Sequence, residues 1–311
     1  MRPLHTQRSR FGRPAFTIVE LAVVMTIIAI LISLSAAAVI RFISVQQVNN
    51  TQTTVNKLYS RVNTSYKAYR NKFFAEQIPD PIHSYILANL ANPADPNAEK
   101  RARVIYVKMK YKQMFPINFN EALNPTPLPP VPTYQAYLAK LGVTGSTGAA
   151  YESSACLLMA LTQAQGGGGV NAEDLAGGHS VASFGLPSGQ NISAFVDAWG
   201  TPLTFSRWPT NCTLLNPNGL PQGGFNDPGD PDGYLANFVN GWLTSSFAAN
   251  YRAQLHNLPT TPVGGGLPLS YKLVPMIVSA GPDRIMGLDP TTLQDDGTHK
   301  ADDDIYSTTA P

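Results

Sequence analysis

The residues best equipped for chemistry in this chain are carboxylates. Asp283, Asp289, Asp295, Asp296, Asp302, Asp303 and Asp304 all fall within residues 279–304, against Arg284, Lys300 and His299. So many like charges repel one another unless water or a cation neutralises them. Calcium does so with six to eight oxygens, drawn from carboxylates, backbone carbonyls and water. A solvated acidic tail is the alternative. Turns at Gly281 and Gly287 would let carbonyls point inward. The run lacks the D-x-[DN]-x-[DN]-G spacing of an EF-hand, and no thiol or paired histidine favours zinc. One more carboxylate is conspicuous: Glu20 is the single charge in the apolar run 16–40. An ionisable group in such a run is costly and usually has a partner.

Other chemistries lack a starting point. Gly178-His179-Ser180-Val181-Ala182 misses the last glycine of a nucleophile elbow. His5, His83, His179, His256 and His299 have no paired spacing. There is no GxxxxGK[ST], HExxH or helix-opening GxGxxG. Two cysteines, Cys156 and Cys212, exclude a disulfide framework and a multi-cysteine metal site. They could form one disulfide outside the cytoplasm or remain two buried thiols. The expectation is a protein that is not an enzyme.

The elements that must carry these residues begin with a basic leader. Residues 1–15 hold four arginines and no acid, so the net charge of +2 leaves about −2 for the rest. That balance excludes a strongly basic nucleic-acid binder. Charged residues make up 14% of the 311, against roughly 25% in ordinary soluble domains. The 25 residues of the apolar run reach about 37 Å as a helix, enough for a bilayer core. It is long for a secretory signal, although residues 36–38 could imitate a cleavage site. A plain membrane anchor is the other alternative. The basic flank places the N-terminal end in the cytoplasm.

Past Arg41 the chain has no Pro or Gly before Pro79. Val45, Val48, Val55, Leu58, Val62, Tyr66, Tyr69 and Phe73 recur at helical spacing, so residues 17–77 are predicted to form one helix of about 90 Å. A coiled-coil dimer is the competing use of that stripe. Lys57, Arg61, Lys67, Arg70 and Lys72 share the helix with no acid among them, and Lys100, Arg101, Arg103, Lys108, Lys110 and Lys112 form a second basic cluster. Both are expected to be solvated faces or contacts to acidic neighbours rather than a nucleic-acid surface.

In residues 79–311, helical pieces are expected within 79–135, a Pro-rich break at 124–132, mainly helix over 133–163 and a flexible joint at 165–169. A second loop dense in turn formers spans 211–233. Strand candidates are 195–196, 203–205 and, best of all, 273–278. Asp197-Ala-Trp199-Gly200-Thr-Pro202 reads as a tight turn with Trp199 as a core anchor.

A basic leader, a small residue, then Phe-Thr-Ile-Val-Glu-Leu and an apolar run resembles the class III signal of type IV pilins and type II secretion pseudopilins. The segment 197–202 is similar to the Asp-Pro-Trp-Gly-x-Pro segment of major pseudopilins. Residues 275–305 resemble their C-terminal calcium loop, with Arg284 in place of the expected Gly and a longer loop. The resemblance covers roughly 1–78, 195–206 and 272–307. It implies an α+β fold: a long N-terminal helix, transmembrane in its first half, packed on a small antiparallel sheet with an enlarged loop-rich head. The implied divisions are a leader 1–15, a membrane and assembly helix 16–40, its amphipathic continuation 41–78, and an extracytoplasmic head 79–311. A prepilin peptidase would cut between Ala15 and Phe16 and methylate Phe16, and Glu20 would serve assembly. Calcium would be held by Asp283, Asp302 and Asp303, with Ser279, Asp289 and Asp304 as further candidates. The implied function is a structural subunit of a type II secretion pseudopilus in the inner membrane. Its implied partners are like subunits, other pseudopilins, the peptidase and an inner-membrane assembly platform. A type IV pilin for adhesion, motility or DNA uptake, and a membrane-anchored extracytoplasmic enzyme or binding module, are the alternatives.

Overall fold

The structure is a computed structural model, and it describes residues 17–90, 96–163, 174, 180–209, 230, 232, 234, 274–288 and 303–307. It is an α+β protein with one long N-terminal helix, α1 (Ile18–Ala75), and small antiparallel sheets. The chain divides into two compact units, residues 1–46 and 47–311.

In the first unit, α1 is apolar and exposed throughout, and it is long and apolar enough to cross a membrane. Residues 18–43 alone extend about 39 Å. Two of their hydroxyls bond back to the helix: Thr26 donates to the Ala22 carbonyl at 2.8 Å, and Ser33 to that of Ile30 at 2.8 Å. Such back-bonding pairs these two groups in a hydrocarbon surround.

In the second unit, α1 buries Thr51, Thr54, Val55, Leu58, Val62, Tyr66 and Phe73, the one-sided stripe expected of an amphipathic helix. Tyr69 is only partly buried against the same core. The stripe is covered by the head. Tyr66 stacks on Tyr111 with ring centroids 4.2 Å apart, and the Tyr111 hydroxyl donates to the Tyr66 carbonyl at 2.9 Å. Phe115 and Phe73 complete the aromatic cluster.

The helical pieces resolve into α2 (Asp80–Asn89), α3 (Ala98–Met114), α4 (Phe119–Leu123), α5 (Pro132–Lys140) and α6 (Glu152–Gln163). The stretch expected to be mainly helical is therefore two helices. The chain leaves α5 through Gly142 at φ +70°, where the Val143 N–H donates to Leu138 and the Gly142 N–H to Ala139, a glycine-terminated helix end. Pro132 opens α5, where its missing N–H costs nothing.

Two sheets follow. β1 (Val181–Gly185) and β2 (Asn191–Phe195) form an antiparallel hairpin with Gly185 opposite Asn191. Only the end of β2 was legible as a strand. β3 (Thr204–Ser206), β4 (Met276–Ser279) and β5 (Ile305–Tyr306) form an antiparallel sheet with β4 in the middle. Thr204 lies opposite Val278, and Ser279 opposite Ile305. Of the expected strand 273–278, residues 276–278 lie in β4, which runs one residue further to Ser279 and is wholly buried.

The second basic cluster is not a solvated face. It lies on α3, which is mostly buried, and Lys108 is only 1% exposed. Its cations find π faces and carboxylates inside the head: Lys108 Nζ sits 4.8 Å from the Trp208 ring centroid, and Lys112 Nζ 3.9 Å from Glu121.

Candidate functional site

Glu20 stands in the first turn of α1. Its carboxylate oxygen Oε2 accepts from the Thr17 N–H at 2.9 Å and the Thr17 hydroxyl at 3.0 Å. In return the Glu20 N–H donates to Thr17 Oγ1 at 3.2 Å. This is a reciprocal capping box, which satisfies helix-end donors and places negative charge at the positive end of the helix dipole. The partner that an acid in an apolar run calls for is therefore supplied locally, three residues back. The sequence carried the signal, since Thr-x-x-Glu before an apolar run is such a box. Ala15 and Phe16 lie outside the described residues.

The two head motifs meet in space. The Ser279 hydroxyl donates to Asp197 Oδ2 at 2.7 Å, and Ser279 Oγ accepts from the Gly281 N–H at 3.2 Å. The other Asp197 oxygen, Oδ1, accepts from the N–H groups of Trp199 and Thr201, each at 2.9 Å. Burial pushes the Asp197 carboxyl up, and these donors only partly offset it. Gly200 turns the chain at φ +83° between them. Trp199, expected to anchor the core, is not among the buried residues; Trp208 is.

Ser279 is thus engaged within the fold by both motifs. Beyond it, Gly281 has φ +68°, and a Cβ there would lie 2.2 Å from the Asp303 carbonyl oxygen. The Asp283 N–H donates to Asp303 Oδ2 at 3.2 Å, and Asp283 Oδ1 accepts from Ile285 at 2.7 Å. Arg284 is held at φ 62°, a left-handed conformation for which a glycine is suited.

Asp304 is the unusual acid. It is buried, and its Oδ1 has no hydrogen-bond partner. Burial, with Asp303 and Asp283 adding repulsion, pushes its carboxyl up to about 7. An orphaned, charge-crowded carboxylate fits an oxygen-seeking cation. Among the described residues, however, no group of three metal-ligating side chains converges. Asp289 and Asp302 lie outside the described residues, so the fit rests on Asp304 with Asp303 and Asp283 beside it.

A cleft of about 530 Å³ opens between the start of α6, β3 and the turn after β4, with Phe205, Met286 and Leu288 among its apolar walls and Glu152 and Arg284 among its charged ones. Glu152 is already held: it accepts from Ser146 Oγ at 2.8 Å, from the Phe119 N–H at 3.3 Å, and from both the N–H and the hydroxyl of Thr147. It has no spare oxygen with which to act as a base.

Sequence reasoning missed a buried ion cluster. Arg207, fully buried, donates to Glu121 at 2.9 and 3.4 Å and to the Phe115 carbonyl at 2.8 Å. It lies 4.6 Å from the Trp208 ring centroid. Desolvation pushes the Glu121 carboxyl up, but Arg207 and Lys112 outweigh it and hold it below the ordinary range. Arg207-Trp208 directly after a strand was the available signal. Cys156 is a buried free thiol, pushed well up by burial, and Cys212 lies outside the described residues. Ser180 shares a hydrogen bond with Thr54 at 3.1 Å, and His83 pairs with Glu99 at 2.8 Å.

No family model, curated protein or solved structure matches this chain. What the fold itself defines is a class: an α+β protein whose N-terminal helix is able to span a membrane.

Proposed function

We propose that this protein is a membrane-anchored subunit of a pilus-like filament, built as a pseudopilin of type II secretion. One observation carries the reading. A single helix, Ile18–Ala75, is apolar and exposed at its start, bears an acid in its first turn, and carries a buried stripe in its later part. An exposed apolar helix needs lipid or other helices around it. Assembly supplies the second when the subunit leaves the first.

In this reading a prepilin peptidase cuts between Ala15 and Phe16 and methylates the new terminus. The leader stays in the cytoplasm and the head lies beyond the inner membrane. Glu20 then exchanges its local Thr17 partner for the terminal amine of a neighbouring subunit. Partners are like subunits, other pseudopilins and an inner-membrane assembly platform. Calcium, where bound, would supply positive charge to the turn at Asp283, Asp303 and Asp304, with Asp289 and Asp302 as further oxygen donors.

Mass spectrometry of the membrane-extracted protein tests the reading. The expected result is a mature N-terminus at Phe16 carrying one methyl group. An intact Met1 start, or a cut near Ala38, overturns it.

A further inference from the structure

The charge on α1 is arranged for a partner. Between Glu20 and Glu76 the chain has no acid, yet it carries Lys57, Arg61, Lys67, Arg70 and Lys72. The buried stripe of α1 includes Leu58, Val62, Tyr66 and Phe73. At 100° per residue, Lys57 and Lys67 lie opposite that stripe and Arg61 and Lys72 flank it, and all four are exposed. Among the described residues no carboxylate pairs with any of them. Lys57 and Arg61 stand one turn apart, a like-charge spacing that destabilises a helix. Surface helices ordinarily intersperse both signs. The carboxylates that would balance this stripe are elsewhere in the same chain, crowded into residues 283–304. Among them Asp283 is exposed and Asp303 partly so.

We infer that the exposed basic stripe of α1, centred on Lys57, Arg61, Lys67 and Lys72, docks the acidic C-terminal turn of a second copy of this chain. Two complementary patches at different places on one subunit make a head-to-tail contact, and a head-to-tail contact that does not close on itself propagates as a filament. The stripe would supply register and orientation, since complementary charge specifies partner geometry more than it supplies affinity. The inference deepens the filament reading and rests on it. The near-neutral chain favours a second copy over a nucleic acid or other polyanion: its cations are matched by its own acids, so a stack of copies balances its charge.

The test uses full-length protein in membranes, as a mixture of unlabelled and ¹⁵N-labelled copies. A zero-length carbodiimide joins lysine amines to carboxylates only in contact. Mixed-isotope peptides joining Lys57, Lys67 or Lys72 to the 283–304 segment are expected, and their loss in high salt. Lys57→Glu with Arg61→Glu should reduce those crosslinks and filament yield by about tenfold. Asp283→Lys alone should do the same, and mixing the two variants should restore both. Near-UV circular dichroism checks that each variant is folded. If Asp283→Lys is misfolded, the wild-type crosslinks and the exposed stripe variant decide. Crosslinks confined to single-isotope peptides overturn the proposal. So does a stripe variant that assembles normally, including one that loses only retention on heparin or duplex DNA, which assigns the stripe to a polyanion. A wild type that never assembles, with an uncut N-terminus, fails the filament reading itself.

Discussion

Ser279 and Asp197, 82 residues apart in sequence, share a buried hydrogen bond of 2.7 Å. It joins the turn after β2 to the end of β4. The geometry gives Asp197 three donors, two from its own turn and one from the far strand. Ser279→Ala removes the far donor and leaves a buried carboxylate under-satisfied. The expected cost is about 1.5–3 kcal/mol in urea unfolding of the detergent-solubilised protein. An unchanged midpoint would show that the bond does not join the two motifs energetically.

Gly281 and Arg284 make opposite predictions within one turn. Gly281→Ala drives a Cβ into the Asp303 carbonyl and adds a side chain at φ +68°. A loss of about 3 kcal/mol or more is expected. Arg284→Gly relieves a left-handed residue at φ 62° and should stabilise by about 0.5–1 kcal/mol. Parallel thermal melts of the two variants check both signs.

The buried ion cluster predicts acid sensitivity. The folded-state pKa of Glu121 is depressed below its ordinary 4.5, as is that of Glu152. The folded state therefore holds these protons less tightly than the unfolded chain. Their stabilisation is present above 4.5 and is lost as pH falls through the folded values. Asp197 and Asp304, both shifted up, contribute in the opposite direction, losing stability as pH rises from 3.8, for Asp304 up to about 7. Urea midpoints measured from pH 3 to 7 on an Asp304→Asn background should fall at the acid end. Glu121→Gln should weaken that fall and cost about 3–5 kcal/mol at neutral pH by leaving Arg207 buried without its counter-charge.

Calcium should act through Asp304. If a cation relieves its orphaned oxygen, the protein melts higher in millimolar calcium than in chelator, by mass action. Asp304→Asn should raise the melting temperature in chelator and abolish the calcium difference. Equal melting of the wild type in both conditions rejects the site.

Glu20→Leu should leave the head folded and the protein in the membrane, yet stop its incorporation into filaments. Thr17→Val, which removes the hydroxyl bridging to Glu20, separates the local cap from the assembly contact. If the cap is Glu20's whole role, both variants assemble as wild type does.

Local pattern was enough for the long helix. The apolar run, the absence of Pro and Gly between Arg41 and Pro79, and the stripe through Val55, Leu58, Val62, Tyr66 and Phe73 describe α1 to within about two residues, because a helix is dictated by neighbours three and four positions away. The glycines at 200 and 281 likewise mark left-handed turns that few other residues adopt, whereas the break at Gly142 interrupts a stretch whose pattern reads as helix. The tertiary structure decided the burial of α3. Its lysines look solvated by composition, and contacts from outside the helix make their burial tolerable: Trp208, a hundred residues on, for Lys108, Glu121 for Lys112 and Glu76 for Lys110. It also decided which carboxylate is exceptional. Seven aspartates are equivalent in composition, but Asp304 alone among the described ones is buried with an unpartnered oxygen, because β5 folds back against β4. Charge and burial of that kind depend on residues distant in sequence, and no local spacing encodes them.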